Sequence, residues 1–205
     1  SATVNSGWNR YSAVISNNPG ATLTVEGDIV IEHKGGTDMA YGIDQLTNGG
    51  IGDVMGTING ATIKSTYRAV RQFLNSDNKM NTLVVKAGST IEGSADSEKS
   101  GVFFHDPSTK ANLGTLNIEN GADVTGVYLF VTAGSTMWPV DVKIAESSIR
   151  GGHEVVSANV PEGYDVETVD GYICVRTLAD KLNAGGVVFL IRMSIFPRLS
   201  LSARL

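Results

Sequence analysis

One short phrase returns five times along this 205-residue chain. It consists of a Leu- or β-branched alternation, a small or Gly-containing turn, and a second alternation closing on Ile or Val. It reads Leu23-Thr-Val25-Glu-Gly27-Asp-Ile-Val-Ile31, Ile58-Asn-Gly60-Ala-Thr-Ile63, Leu83-Val-Val85-Lys-Ala-Gly88-Ser-Thr-Ile91 and Leu116-Asn-Ile118-Glu-Asn-Gly121-Ala-Asp-Val124. A degenerate fifth copy is Val142-Lys-Ile144-Ala-Glu-Ser-Ser-Ile149. The closing residues Ile31, Ile63, Ile91, Val124 and Ile149 lie 32, 28, 33 and 25 positions apart, so the variable length falls outside the phrase. Repetition at this period is the mark of a stacked architecture in which each unit buries its apolar face against the next.

A third apolar patch follows each copy: Ala40-Tyr-Gly-Ile43, Tyr67-Arg-Ala-Val70, Gly101-Val-Phe-Phe104, Val127-Tyr-Leu-Phe130 and Glu154-Val-Val156. Two or three short strands per repeat, separated by Gly, Asn and Asp turns, describe one coil of a solenoid. The period of two along a strand places Leu23 and Val25, or Leu116 and Ile118, on one inward face. An antiparallel sandwich also shows many short strands, but its core has no reason to repeat one phrase with one internal spacing. The expectation is an all-β, right-handed parallel β-helix (β-solenoid) of about five coils. The segments 46–53, 75–81, 95–100 and 106–112, rich in Gly, Asn, Ser, Asp and Lys, read as surface loops.

Composition agrees. Gly supplies 24 of 205 residues, above the roughly 7 % usual in proteins, and 18 % of residues are charged against a usual 25 % or so. With 41 % hydrophobic residues and a mean hydropathy of +0.01, the sequence suits neither disorder nor membrane insertion. No basic segment followed by an apolar one opens the sequence. Either a signal was removed upstream or the protein reaches the outside as part of a virion. The lone Cys174 excludes an internal disulfide and reads as a small buried strand residue. The net charge of −5 is uneven: residues 176–205 carry five basic residues and one acidic, +4, which leaves −9 on the first 175. An acidic body disfavours nucleic acid as a partner.

The sequence divides into a β-helix over 1–175, with a short N-terminal cap helix over 6–17, and a tail over 176–205. Trp8, Tyr11 and Ile15 at i, i+3 and i+7 behind Ser6 suggest the cap. In the tail, Thr177 as N-cap, Leu178 and Leu182 on one face and Gly185-Gly186 as a stop suggest a short helix, then a strand and a basic end. This is either a truncated second unit or a subunit contact.

The five phrases, the run from Val160 to Val175 and the Thr177–Gly186 segment resemble pectate-lyase-like right-handed β-helix proteins. Among these they are closest to uncharacterised repeats of gut-bacterial surface proteins and of gut-phage appendages. The resemblance implies a fold shared by polysaccharide lyases, polygalacturonase-type hydrolases, tailspikes and adhesins, so chemistry has to be found residue by residue. The hydrolase strings of that family are missing: no Asp-Asp pair occurs, and His153 stands in Gly-Gly-His-Glu. No convincing pair of carboxylates offers acid and base for glycoside cleavage. A lyase would need a base, for which Arg68 or Arg71 are candidates with Lys64 near them, and carboxylates such as Asp38, Asp44 and Asp53 one coil earlier to hold calcium. Solvated surface charge explains the same residues.

His33, His105 and His153 lack metal-ligand spacing, and no cofactor is expected. Asn48-Gly-Gly-Ile-Gly-Asp53 lacks the Lys-Ser/Thr of a phosphate loop and reads as a turn. If coils stack in register, Tyr67, Arg68 and Arg71 approach Phe103, Phe104 and His105, and these approach Tyr128 and Phe130. Aromatic faces beside Arg and His hold sugars by CH-π contact and planar hydrogen bonds. The alternative is an aromatic stack inside the solenoid, and strand parity decides between the two. The expected function is a non-enzymatic structural or attachment module on a virion or bacterial surface: a phage fibre, spike, capsid decoration or adhesin. Its partners would be surface glycans and further subunits, a trimer suiting a fibre. The rival is a lyase of acidic polysaccharide.

Overall fold

The computed structural model describes residues 2–5, 12–35, 39–48, 52–94, 100–107, 113–131, 141–150, 155–158 and 164–177. Strands follow one another in triplets. The first pass is β1 (Ala2–Asn5), β2 (Ser12–Asn17) and β3 (Thr22–Glu26); the second is β4 (Val30–Lys34), β5 (Ala40–Asn48) and β6 (Val54–Asn59). Next come β7 (Thr62–Ser65), β8 (Arg68–Asn75) and β9 (Met80–Val85), then β10 (Thr90–Glu92), β11 (Val102–Asp106) and β12 (Leu113–Ile118). The last triplet is β13 (Asp123–Val124), β14 (Val127–Val131) and β15 (Asp141–Ala145), followed by β16 (Val155–Ala158), β17 (Tyr164–Val169) and β18 (Tyr172–Thr177). Through β16, each strand pairs in parallel with its counterpart one pass away. Sheet A runs β1-β4-β7-β10-β13, sheet B β2-β5-β8-β11-β14-β16, and sheet C β3-β6-β9-β12-β15-β18-β17. The result is a β-solenoid of about four turns.

The repeated phrase is the segment that turns from sheet C into sheet A. Its closing residues stack as one ladder in sheet A, Ile31 on Ile63, Ile63 on Ile91, Ile91 on Val124 and Val124 on Ile149. Val25, Ile58, Val85, Ile118 and Ile144 form a second ladder in sheet C. Both ladders are buried and share the axial core except for the half-buried Ile149, which packs against it. Burying these branched side chains, at about 1.5–3 kcal/mol each, is what stacks the coils. Between the two sheets stand Gly27, Gly60, Gly88 and Gly121 with φ of 73°, 74°, 79° and 90°, a left-handed turn that glycine adopts without strain. Gly27 N–H donates to Asn59 O and Gly88 N–H to Gly121 O, both at 2.9 Å, so the turns also stack.

The outer side of sheet A alternates in charge. Glu32, Lys64 and Glu92 are successive rungs, Lys64 Nζ lies 3.3 Å from Glu92, and Arg150 bridges Glu92 at 3.6 Å and Asp123 at 2.7 Å. Opposite signs on neighbouring rungs avoid the repulsion that stacking one charge would create.

The described part of the expected N-terminal cap helix is not helical. Among the described residues the only helical segment is a 3-10 turn at Glu146–Ser148, and Ser12–Asn17 is strand β2, with Ile15 on the rung next to Ile43. Within Ser12-Ala-Val-Ile-Ser16 the alternation matches the sheet, and a partner one coil later outweighs a spacing that also fits a helix. Trp8 and Tyr11 lie outside the described residues. Thr177 ends β18, and the helix, strand and basic tail expected beyond it lie outside as well.

The parallel stack ends in sheet C with a hairpin. Strand β18 runs antiparallel to β15, and β17 antiparallel to β18, through the two-residue turn Asp170-Gly171 with φ of 52° and 78°. Two successive positive φ values make the tight turn whose twist suits a hairpin. Cys174 is a buried thiol on β18 that forms no disulfide, as its alternating surroundings suggest.

Candidate functional site

Sheet B carries the candidate residues, and its register fixes their faces. Ile43, Val70, Val102 and Val127 are consecutive inward rungs. The neighbouring column, one residue on and therefore outward, reads Asp44, Arg71, Phe103 and Tyr128. Two residues further, also outward, come Leu46, Phe73, His105 and Phe130. Phe104 sits between the outward columns, points into the core and is fully buried. It is therefore no part of an outer binding face, and Phe103 takes the place expected of it.

The outward columns make a stack of rings and guanidinium groups. Phe103 and Tyr128 are nearly parallel at 9° with centroids 5.5 Å apart, as rungs one strand spacing apart should be. His105 stacks on Phe103 at 4.5 Å and meets Phe73 and Phe130 edge-on at 5.1 and 5.5 Å. The Arg68 guanidinium lies 3.6 Å from the Phe103 centroid and 4.7 Å from that of Tyr67. Arg71 lies 4.7 Å from Tyr41 and 4.4 Å from Phe73, and its Nε and Nη2 donate to Asp44 Oδ1 and Oδ2 at 2.7 and 2.6 Å. Asp44, Arg71 and Phe103 on the outward columns are buried, as are Tyr41 and Arg68, which contact the outward Arg71 and Phe103 although they stand two residues before inward Ile43 and Val70, whereas Tyr67, Phe73, His105, Tyr128 and Phe130 remain half-buried.

The electrostatics follow from this packing. Burial, reinforced by the positive charges of Arg71 and Arg68, pushes the His105 imidazole down to about 3, so it is neutral at physiological pH. Its Nδ1 has no hydrogen-bond partner among the described residues. Burial raises the Tyr41 hydroxyl. A guanidinium acting as a proton-abstracting base must first lose its proton. The carboxylate held against Arg71 stabilises the charged form, so the geometry opposes that role for Arg71.

Of the candidate residues, Tyr67, Arg68, Arg71, His105, Tyr128 and Phe130 share one surface. Tyr41, Asp44 and Phe73 belong to it too. Their sequence signals are weak because Tyr41 reads as part of an apolar patch, Asp44 as surface charge, and Phe73 falls just past the patch on its strand. The strand register, not the sequence, separates the outward Phe103 and His105 from the inward Phe104.

A second polar group occupies the inside of the same sheet. Asn17, Gln45 and Gln72 are inward rungs beside the apolar column, all nearly inaccessible. Asn17 Nδ2 donates to Gln45 Oε1 at 3.3 Å, and Gln45 Nε2 donates to Asn81 Oδ1 at 2.7 Å. Asn81 Nδ2 donates to Gln45 O and Phe73 O, and Gln72 Nε2 to Asn81 O and Thr115 O. This network ties sheet B to sheet C. In the later coils Phe104 and Leu129 replace the amides. No three His, Cys, Asp or Glu side chains among the described residues converge as metal ligands do. Comparison with protein-family models, with curated proteins and with solved structures gives no match for this protein.

Proposed function

We propose that the protein is a non-enzymatic structural or attachment module displayed on a surface, a virion component such as a fibre, spike or capsid decoration, or a bacterial adhesin, and that the outer face of sheet B engages glycans. The observation that carries this reading is the group of half-buried rings of Tyr67, His105, Tyr128 and Phe130 on one outer face, with the Arg68 guanidinium 4.7 Å from the Tyr67 ring and 6.0 Å from that of Tyr128. Ring faces held rigidly by a sheet lose little entropy when a sugar packs on them, and they offer apolar area to its C–H groups. Arg71 is held by Asp44, and the buried Arg68 guanidinium packs on Phe103 and Tyr67, which adds positive charge beneath the rings. The pectate-lyase-like resemblance, the extended stack and its weakly charged surface suit display of such a face along a fibre or cell wall.

A glycan array with the purified protein tests the reading. Binding that is lost in Tyr128→Ala and Phe130→Ala, with the β-sheet circular dichroism signal and unfolding midpoint retained, is the expected result. No binding to any glycan, or binding indifferent to both substitutions, overturns it. Release of unsaturated uronate from an acidic polysaccharide would instead favour lyase chemistry.

A further inference from the structure

We infer that Asn120 is a site of spontaneous deamidation, set apart from Asn59, the Asn-Gly of an equivalent turn, by the way the following coil turns. Asn120 and Gly121 are the central residues of a turn closed by Ala122 N–H to Glu119 O at 3.3 Å, and both are exposed. In the equivalent turns of earlier coils the glycine amide has an acceptor in the next coil: Gly27 on Asn59 O, Gly60 on Ser89 Oγ at 3.0 Å, Gly88 on Gly121 O. The coil after Gly121 abandons the glycine turn for the 3-10 turn Glu146–Ser148. That change leaves the Gly121 N–H without an acceptor among the described residues. It also brings Ser147 Oγ–H onto Asn120 Oδ1 at 2.7 Å, where it polarises the amide group of Asn120.

These are the requirements of imide formation. Gly121 N, once it yields its proton to base, attacks Asn120 Cγ; the new N–Cγ bond forms as the bond from Cγ to Nδ2 breaks and ammonia leaves. Water then opens the five-membered imide at either carbonyl, giving aspartate or isoaspartate. An open groove of about 250 Å³ bordered by Asn120, Glu146, Ser147 and Asp170 admits that water. Asn59-Gly60 has the same dipeptide, but its nucleophilic nitrogen is engaged by Ser89 and Asn59 is half-buried at the end of β6. Aspartate at 120 adds a carboxylate to a groove already holding Glu146 and Asp170. Isoaspartate lengthens the backbone of a turn on which Gly88 N–H depends. The terminal coil therefore carries an ageing mark that alters its charge and its grip on the coil before it, whatever ligand the outer face of sheet B takes.

The folded protein is incubated in mildly alkaline buffer and digested, and the peptides bearing Asn120 and Asn59 are followed by mass and by isoaspartate detection. The expected result is a gain of one dalton at Asn120, with isoaspartate, severalfold faster than at Asn59, abolished in Asn120→Gln and slowed in Ser147→Ala. Conversion of Asn59 at an equal or greater rate, or an Asn120 peptide that stays unchanged, overturns the inference, and an unaltered rate in Ser147→Ala overturns the role of Ser147.

Discussion

Arg71 grips Asp44 with two parallel hydrogen bonds, 2.7 and 2.6 Å long, at a place where 5 % of the arginine side chain and none of the aspartate is exposed. The pair sits on adjacent rungs of sheet B and is flanked by the rings of Tyr41 and Phe73. Removing one partner leaves the other charge buried without its two-pronged counter-ion. Asp44→Ala should therefore destabilise the fold by about 3–5 kcal/mol, while Asp44→Leu with Arg71→Met should return close to the parent or exceed it. Urea unfolding of the three proteins decides; a single variant no less stable than the double would show that the pair is not held as described.

Gly114 and Phe104 form a second such relationship across the core. A Cβ at Gly114 would stand 2.8 Å from Phe104 Cζ and 2.6 Å from Leu74 Cδ2, so the missing side chain on sheet C makes room for the ring from sheet B. Gly114→Ala should cost about 1–3 kcal/mol through overpacking. Phe104→Leu, which repeats the Leu129 found on the next rung, should absorb most of that cost in the double variant. A double-mutant cycle in urea gives the coupling, and additive effects would separate the two residues.

How far the sequence discloses this molecule depends on which face of a strand is asked about. The five closing residues are legible because turn, alternation and spacing recur together, and each stands on the expected rung. Parity in sheet B is not legible. Val102-Phe103-Phe104 is apolar without a break, and in a parallel sheet buried on both faces a continuous run carries no inside or outside. The inward Gln45 and Gln72 defy the rule that polar residues face water, and only the partners supplied from β9 and β12 explain them. The helix expected over 6–17 gives way to strand at Ser12–Asn17 for a related reason: Ile15 has its decisive neighbour, Ile43, 28 residues away. The Asp170-Gly171 dipeptide between two alternating runs, by contrast, is a local hairpin signal that the five-fold repeat overshadows.

The amide network has its own weak point. Asn81 accepts from Gln45 and donates to two backbone oxygens. Asn81→Ala removes all three bonds at a fully buried position, and the expected loss is about 1–3 kcal/mol, the desolvation penalty of groups left unpaired. Asn81→Asp should be worse, because a carboxylate would face Gln45 O and Phe73 O with no proton to offer. Comparing the two unfolding midpoints checks both claims; equal stability of Asp and Asn at 81 would mean that water reaches the site.

His105 gives the fold an acid-sensitive term. Its folded pKa of about 3 lies below the ordinary value of 6.5, so between those limits the unfolded state binds a proton that the folded state refuses. Stability must then rise with pH across that window, by at most about 1.4 kcal/mol per unit for this one group, and level off above 6.5. His33, also lowered by burial, adds in the same direction. Asp123, lowered by its hydrogen bond to Arg150, acts only at more acid pH, where its protonation in turn removes stability. His105→Phe keeps a ring against Phe73, Phe103 and Phe130 but removes the titration. Urea midpoints at pH 7 and at about pH 4.5 should therefore converge in the variant relative to the parent, with the residual slope due to His33. An unchanged slope in His105→Phe would show that the imidazole is solvated and charged on acidification, and that the outer stack of sheet B is more open to water than its packing distances imply.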